Sequence, residues 1–315
     1  MRTVMKFGGS VLRTSADLRR LATILEPRLA CGEQIILVNS ALQGVTDQLI
    51  ATAERAGKDR LGILESMKSL QARHLSALEG VEAGKAREWC LHELRQGFQR
   101  LECALHNVHA MHGLLPRAAD PIYAFGERFA ARLIVAHLQE AGIQAKAYDA
   151  DEAGLMVEDH VEGARPIMPL TCKNFRKIVA RLRHGEVPVI TGYFGMDGNG
   201  NVVCLGRGGT DYSAAIVANA VDANRLELWK DVGGLYSADP KRVWKARPLR
   251  ELNYDEAEEL SRFGAKILHP KTISPLREKG IEAWIRSVHE PCRTGTRIHA
   301  KPFQFGRAAE AFYTP

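Results

Sequence analysis

The sequence lacks the marks of several protein classes. No apolar run approaches the roughly 18 residues that a membrane helix needs. The first residues, MRTVMKFGGS, reach glycine before a signal-peptide core can form. Those two absences point to the cytoplasm, with no membrane partner. Aromatic residues make up only 7% of the chain, and no basic run is interleaved with them. Base stacking beside a phosphate-binding stripe, the footprint of a nucleic-acid binder, is therefore not expected. The six cysteines (Cys31, Cys90, Cys103, Cys172, Cys204 and Cys292) form no C-x-x-C pair. They read as reduced, mostly buried thiols. His106, His109 and His112 follow a three-residue step, which spreads them over about 120° of a helix surface. Without partners elsewhere they read as a polar helix face, and no metal site is expected. The nucleotide signature G-x-x-x-x-G-K-[ST] is absent, since Gly84-Lys85 is followed by Ala86. No G-x-G-x-x-G follows the first strand, which removes the dinucleotide fingerprint.

What is present suits a globular α/β chain. The 315 residues are 45% apolar and 25% charged, enough for one large or two ordinary domains without disulfides. The net charge of +6 fits anionic small molecules as well as a scattered basic surface. Short apolar runs end in small-residue turns and lead into helices. Thr3 to Phe7 enters Gly8-Gly9, and a helix follows, capped near Thr14 or Ser15 with Leu18, Leu21 and Ile24 on one face. Ile35 to Val38, apolar at every position, is a strand of the kind buried on both sides of a parallel sheet. Residues 58 to 114 predict a long helical hairpin turning near Gly80–Gly84. Residues 122 to 141 predict a helix, Gln144 to Tyr148 a strand, and Phe175 to Arg183 a helix. Val187 to Gly192 predicts a strand, and Asp197 to Asn201 the turn of a hairpin. Further along come a strand at Leu226–Trp229, a helix at Tyr254–Phe263 and a last strand at Glu282–Arg286. The alternation of strand and helix is the α/β pattern.

Two glycine-bearing segments carry chemistry. Lys6-Phe7-Gly8-Gly9-Ser10 ends a strand, brings the backbone close to a ligand and adds an ammonium, which suits the β- and γ-phosphates of a nucleotide. Gly206-Arg207-Gly208-Gly209-Thr210-Asp211 opens an apolar helix running from Asp211 to about Val221. Free N–H groups at that helix start attract anions, and the planar fork of Arg207 matches a carboxylate or phosphate.

Six segments in order resemble the catalytic domain of aspartate kinases, within the amino acid kinase superfamily. They are KFGGS at Lys6–Ser10, SALQGVTD at Ser40–Asp47, FGER at Phe125–Arg128, LGRGGTDYSAA at Leu205–Ala215, WKDVGGLYSADPK at Trp229–Lys241 and FGAKILHP at Phe263–Pro270. The resemblance spans about residues 3 to 298. It implies a three-layer α/β/α sandwich around a mostly parallel sheet, with two lobes. Residues 1–300 would form the kinase domain, divided near residue 185 into an acceptor-binding lobe holding the hairpin 58–114 and a nucleotide-binding lobe. Residues 301–315 would be a tail.

The resemblance also implies roles. Lys6, Arg207 and Asp211 would be catalytic. Ser40, Thr46, Glu127, Arg207 and Thr210 would bind the acceptor, with Glu127 pairing its ammonium group. Lys6, Gly8, Gly9, Ser10, Lys230, Asp231, Tyr236, Lys241 and Lys266 would bind ATP carried with Mg²⁺. The implied reaction makes 4-phospho-L-aspartate from L-aspartate and ATP, in a homodimer. Phosphoryl transfer to a carboxylate asks for two anions held in line with their charge offset, and needs no strong base. The missing hydrolase triad is then expected.

Four residues depart from the usual pattern. Ser10-Val11 stands where a Thr-Ser pair is usual, and Lys230 where threonine is usual before the nucleotide-site aspartate. Asn39 replaces an aliphatic residue beside Ser40, and Gln43 lies in the same loop. Asn39 and Gln43 motivate an alternative acceptor. Lys230 and the Ser10-Val11 loop motivate a non-catalytic binding subunit, which the retained Lys6, Arg207, Asp211 and Lys266 disfavour. The sequence ends at Pro315, where such kinases continue into paired ACT domains, so a kinase without intrinsic ACT feedback is expected.

Overall fold

A computed structural model describes residues 1–158, 163–206, 208–237, 243–262 and 269–300. In chain order the first half contains β1 (Arg2–Phe7), α1 (Ser15–Ala30), β2 (Gln34–Asn39), α2 (Val45–Ala56), α3 (Arg60–Ala77), α4 (Lys85–Ala110), α5 (Pro116–Tyr123), α6 (Phe125–Glu140) and β3 (Ala145–Tyr148). The middle adds α7 (Ala150–Ala153), β4 (Val157–Glu158), β5 (Arg165–Pro166), α8 (Met168–Leu182), β6 (Val187–Thr191), β7 (Phe194–Met196) and β8 (Val202–Cys204). The remainder is α9 (Gly209–Ala220), β9 (Arg225–Lys230), β10 (Leu235–Tyr236), β11 (Pro248–Leu249), β12 (Glu251–Asn253), α10 (Tyr254–Arg262), α11 (Ile273–Lys279), β13 (Glu282–Ser287) and β14 (Thr296–His299).

One eight-stranded sheet organises these elements in the order β12-β14-β13-β9-β1-β2-β6-β3. All neighbours run parallel except β13 and β14, which are antiparallel. The strand near Glu282–Arg286 is thus not the last, because β14 follows and joins β12 to the sheet edge.

Alternation along the strands separates two cores, one on each face. Met5, Phe7, Ile35, Leu37, Val189 and Trp229 face the layer of α1, α2, α3, α4 and α6. Val4, Ile36, Val38, Ile190, Leu226 and Leu228 face the layer built around α8, α9, α10 and α11. The protein is therefore a three-layer α/β/α sandwich. Helix α9 is buried at every position, and its small residues let it lie close against the sheet.

The helical hairpin expected at 58–114 is present as α3 and α4, joined through Gly80, whose φ is +81°. Thr14 caps α1 in a capping box with Asp17. The histidine face resolves into single contacts: His109 Nδ1 lies 2.8 Å from the Ala56 carbonyl, tying α4 to α2, and His106 lies 3.9 Å from Glu102. The expectation of mostly buried thiols holds for Cys90 alone. Cys31, Cys103 and Cys292 are exposed, and Cys172 and Cys204 are half-buried. Among the described residues no helix is long and apolar enough to cross a membrane.

Candidate active site

Strand β1 continues to β2 on one side, while its other neighbour, β9, continues to β12, β13 and β14 on the opposite side, so the direction of connection reverses between β1 and β9. The carboxyl ends of strands at such a switch form a crevice, and ligands bind there in open α/β sheets. Lys6 stands near the end of β1, and Lys230 is the last residue of β9. The pleat directs both side chains toward α9. Asp211 sits in the first turn of that helix, where the macrodipole favours a carboxylate.

These three charges meet. Lys6 Nζ lies 2.6 Å from Asp211 Oδ1, and Lys230 Nζ lies 2.9 Å from Asp211 Oδ2. Burial lowers the Lys6 ammonium to about 8, with Asp211 opposing that shift and Lys230 adding to it. Burial alone would raise the Asp211 carboxyl. The Lys230 and Lys6 charges outweigh it and hold Asp211 well below the usual carboxylate range. Two ammonium groups against one carboxylate leave the centre net positive, ready for an anion.

Gly8 and Gly9 keep the entrance open. A β-carbon on Gly8 would lie 3.1 Å from Lys6 Nζ, and one on Gly9 would lie 3.1 Å from the Ala41 carbonyl. Ser10 Oγ donates to Asp231 Oδ1 across 3.4 Å, at the long end for such a bond. This joins the first glycine loop to the exposed carboxylate after β9.

Several residues expected to bind the acceptor form a second cluster within charge range of Lys6. Ser40 Oγ donates to Thr210 Oγ1 at 2.9 Å. Glu127, in the first turn of α6, is 2% exposed, and its Oε1 accepts the Ala41 N–H at 3.0 Å. Its Oε2 is buried and has no hydrogen-bond partner among the described residues. Burial pushes the Glu127 carboxyl up to about 8, opposed by the Ala41 and Glu127 N–H groups and by Lys6. A buried carboxylate oxygen without a donor is costly, and a ligand bringing an N–H relieves it. Asn39 lies beneath. Its amide donates to the carbonyls of Glu127 at 2.9 Å and Ser40 at 3.1 Å, fixing the backbone that presents both residues.

Not every expected residue joins this cluster. Thr46 is half-buried near the start of α2, with no side-chain hydrogen bond to the cluster among the described residues. Tyr236 lines a cavity of about 1040 Å³ with Gly233, Leu249, Trp284 and Arg297. Arg207, Lys241 and Lys266 lie outside the described residues.

Three residues not singled out from the sequence shape the site. His269 packs against Gly208, where a β-carbon would approach its ring to 2.4 Å. Burial lowers the His269 pKa, and the nearby Asp211 charge pulls it back up. Tyr193 adopts φ +75°, rare for a residue with a side chain, and its N–H donates to Ser213 Oγ at 3.1 Å. Gly192, just before it, leaves no room. An added β-carbon would lie 2.4 Å from Thr210 Cγ2 and 3.0 Å from the Asn39 carbonyl. The apolar run ending in Thr191-Gly192-Tyr193 is the only sequence signal for this close approach. Gly192→Ala is expected to cost about 2 kcal/mol by overpacking and to move Thr210. Thermal melting and acceptor KM together check this; a variant with unchanged melting and KM would show that the packing relaxes freely.

The amino acid kinase family model matches residues 1–287. The chain is similar to lysine-sensitive aspartokinase 3 of Escherichia coli, at 30% identity over 302 residues, covering 94% of this chain and 63% of that protein. It is equally similar to the chloroplastic aspartokinase 3 of Arabidopsis thaliana, at 30% identity over 302 residues, covering 94% and 52% of the two chains. The crystal structure of E. coli aspartokinase III in complex with aspartate and ADP superposes with a TM-score of 0.87 at 27% identity, covering 96% of this chain and 66% of that one. The chain thus spans about half to two thirds of the length of these relatives. The match of nearly the whole chain, together with the lysine–aspartate centre at the sheet's carboxyl edge, establishes that this protein belongs to the amino acid kinase family.

Proposed function

We propose that the protein transfers the γ-phosphoryl group of MgATP to the side-chain carboxylate of L-aspartate, giving 4-phospho-L-aspartate and ADP. One observation carries the reading: a net-positive Lys6–Asp211–Lys230 centre stands within electrostatic reach of a buried carboxyl with an unpartnered oxygen. The first is suited to a transferring phosphoryl group, the second to an α-ammonium group. The aspartokinase relatives, one of them solved with aspartate and ADP, support the same reading.

In this reading the β-carboxylate oxygen attacks phosphorus, the bond to the β-phosphate bridging oxygen breaks, and ADP leaves with that electron pair. No proton need move, because the acceptor is already ionised. Lys6 and Lys230 offset the charge of the equatorial oxygens. Asp211 aligns the two ammonium groups, and both of its oxygens are already engaged. Asp231 is left as the exposed carboxylate beside the phosphate loop, suited to hold Mg²⁺ that arrives on the nucleotide. That ion neutralises the phosphates when bound. Arg207 would bind an acceptor carboxylate, Thr46 would contact the acceptor, and Tyr236, Lys241 and Lys266 would serve the nucleotide. Residues up to about 185 would hold the acceptor and those from 186 to 300 the nucleotide. A cytoplasmic homodimer completes the reading.

A coupled ADP-release assay with a hydroxamate trap tests it. Aspartate-dependent ADP formation with stoichiometric acyl hydroxamate is expected. A folded protein that releases no ADP with aspartate would sink the proposal. Asn39 favours a second reading, the same chemistry on another acceptor, because it anchors the Glu127 backbone with an amide where an aliphatic side chain is usual. A panel preferring another amino acid by more than about tenfold in kcat/KM would select it.

A further inference from the structure

A groove behind the two substrate loops carries charge that the proposed reaction does not use. It is a cavity of about 710 Å³, lined by Arg13, Thr14, Ser15 and Arg19 around the start of α1, and by Arg73 and Glu79 from α3 and the turn after it. Three arginines therefore border one space, and Glu79 is the one acidic residue among its lining.

The other nearby acid, Asp17, pairs with Arg13 of the groove and with Arg20, so Arg19 and Arg73 carry the charge that no carboxylate among the described residues offsets. Asp17 accepts from Arg13 Nε at 3.3 Å and from Arg20 at 3.2 Å while completing the α1 cap. Ser15 Oγ donates to the Glu79 carbonyl, which ties the start of α1 to the turn after α3. Helix α1 runs from Ser15 to Ala30, and its positive end opens on the groove beside these arginines. Planar guanidinium forks converging from two elements match the oxygens of carboxylates and phosphates.

The groove also touches the machinery. Arg73 Nη2 donates to the Gln43 carbonyl, and the Gln43 N–H donates to the Leu12 carbonyl at 3.0 Å. Gln43 belongs to the loop that carries Ser40 and Ala41, and Ala41 holds Glu127. Leu12 directly follows the Gly9–Val11 turn of the phosphate loop. One arginine thus braces both loops from behind.

We propose that this groove binds a small polyanion, an organic phosphate or a polycarboxylate, and that the bound anion retunes the acceptor loop through Arg73 and Gln43. The binding claim stands on the groove alone; the effect on turnover rests on the kinase reading.

Citrate and inorganic phosphate serve as probes. Each is titrated by calorimetry into the full chain saturated with MgADP, with Mg²⁺ in excess of citrate and ionic strength fixed by chloride. Saturating MgADP fills the α- and β-phosphate positions, and the arginine variants separate binding in the groove from binding at the open γ-phosphoryl position. At least one probe is expected to bind, and Arg19→Ala and Arg13→Ala are each expected to weaken it about tenfold. Both side chains are exposed, so neither change threatens the fold. Lys245→Ala, on a remote surface, should leave binding unchanged. Binding of citrate alone assigns a polycarboxylate, and binding of phosphate alone assigns a phosphate ester. Absence of binding by either probe, or equal binding by wild type and both arginine variants, overturns the site. With the probe saturating, the aspartate KM is expected to move about fivefold while the ATP KM holds. An unmoved aspartate KM overturns the coupling. A protein inert toward aspartate refutes the kinase reading, and the calorimetry still decides the groove.

Discussion

Lys6→Met is expected to lower kcat about a thousandfold or more while the protein melts close to wild type. The rate falls because Lys6 brings a desolvated positive charge to the carboxyl edge of β1, where the phosphoryl group would carry its developing charge. The fold survives because Asp211 keeps Lys230 at 2.9 Å as its partner. Asp211→Asn should behave differently. It leaves the Lys6 and Lys230 ammonium groups facing each other without a counter-charge, and breaking a buried pair in this way costs about 3–5 kcal/mol. A melting curve separates the two variants, and single-turnover measurement with MgATP reads the chemical step. Retention of more than about a tenth of kcat by Lys6→Met would remove Lys6 from the phosphoryl centre. The pH dependence carries a second mark. Lys6 titrates near 8 in the free protein, below its ordinary 10.5. So kcat/KM for the nucleotide should decline as pH rises through about 8. The same group acts on stability with the opposite sign. Between 8 and 10.5 the folded chain binds fewer protons at Lys6 than the unfolded chain, so this contribution rises with pH across that window.

The legible parts of the molecule are those where one segment suffices to define an environment. Strands β1, β2, β6 and β9 were readable because central strands are apolar on both faces and end in small-residue turns. The α3–α4 hairpin was readable from its helix-forming composition. The short strands were not. β10, β11 and β12 exist through pairing, helped by Thr296, whose hydroxyl accepts the Leu235 N–H and donates to the Leu249 carbonyl. No local periodicity encodes such a contact between distant residues. Helix α5 was not anticipated: Pro116 opens it and Pro121 lies inside it, where proline is unfavourable to a helix. The site divides in the same way. Lys6 and Asp211 stand in conspicuous glycine turns, and resemblance gave them roles. Lys230 was expected as charge near ATP, and its contact with Asp211 became visible only once β9 lay beside β1. Glu127 looked like any helix carboxylate until α6 placed it beneath Ala41, and Gly192, Tyr193 and His269 act entirely through tertiary proximity.

Glu127→Gln is expected to raise the aspartate KM about a hundredfold and leave the ATP KM nearly unchanged, because it removes a charge-assisted hydrogen bond to the acceptor ammonium group. Burial holds the Glu127 carboxyl at about 8, so the free protein carries it mostly neutral at pH 7. An ammonium group docking on it favours the carboxylate. Aspartate binding at pH 7 should therefore release a proton, read as a calorimetric enthalpy that changes with the ionisation enthalpy of the buffer. Glu127→Gln should abolish that release, and a release identical in wild type and variant would exclude Glu127 as the ammonium partner. The acceptor kcat/KM should climb as pH rises toward 8. Stability must move the other way. With a folded pKa raised from 4.5 to about 8, the native chain binds the extra proton within that window, so stability from this group is full below 4.5 and is lost as pH rises to 8. The glutamine variant has no such loss, and its stability should exceed wild type by up to a few kcal/mol above pH 8, with the difference closing in acid. A substitution that strengthens the fold while weakening acceptor binding separates a functional carboxyl from a structural one, since a structural role would lower both.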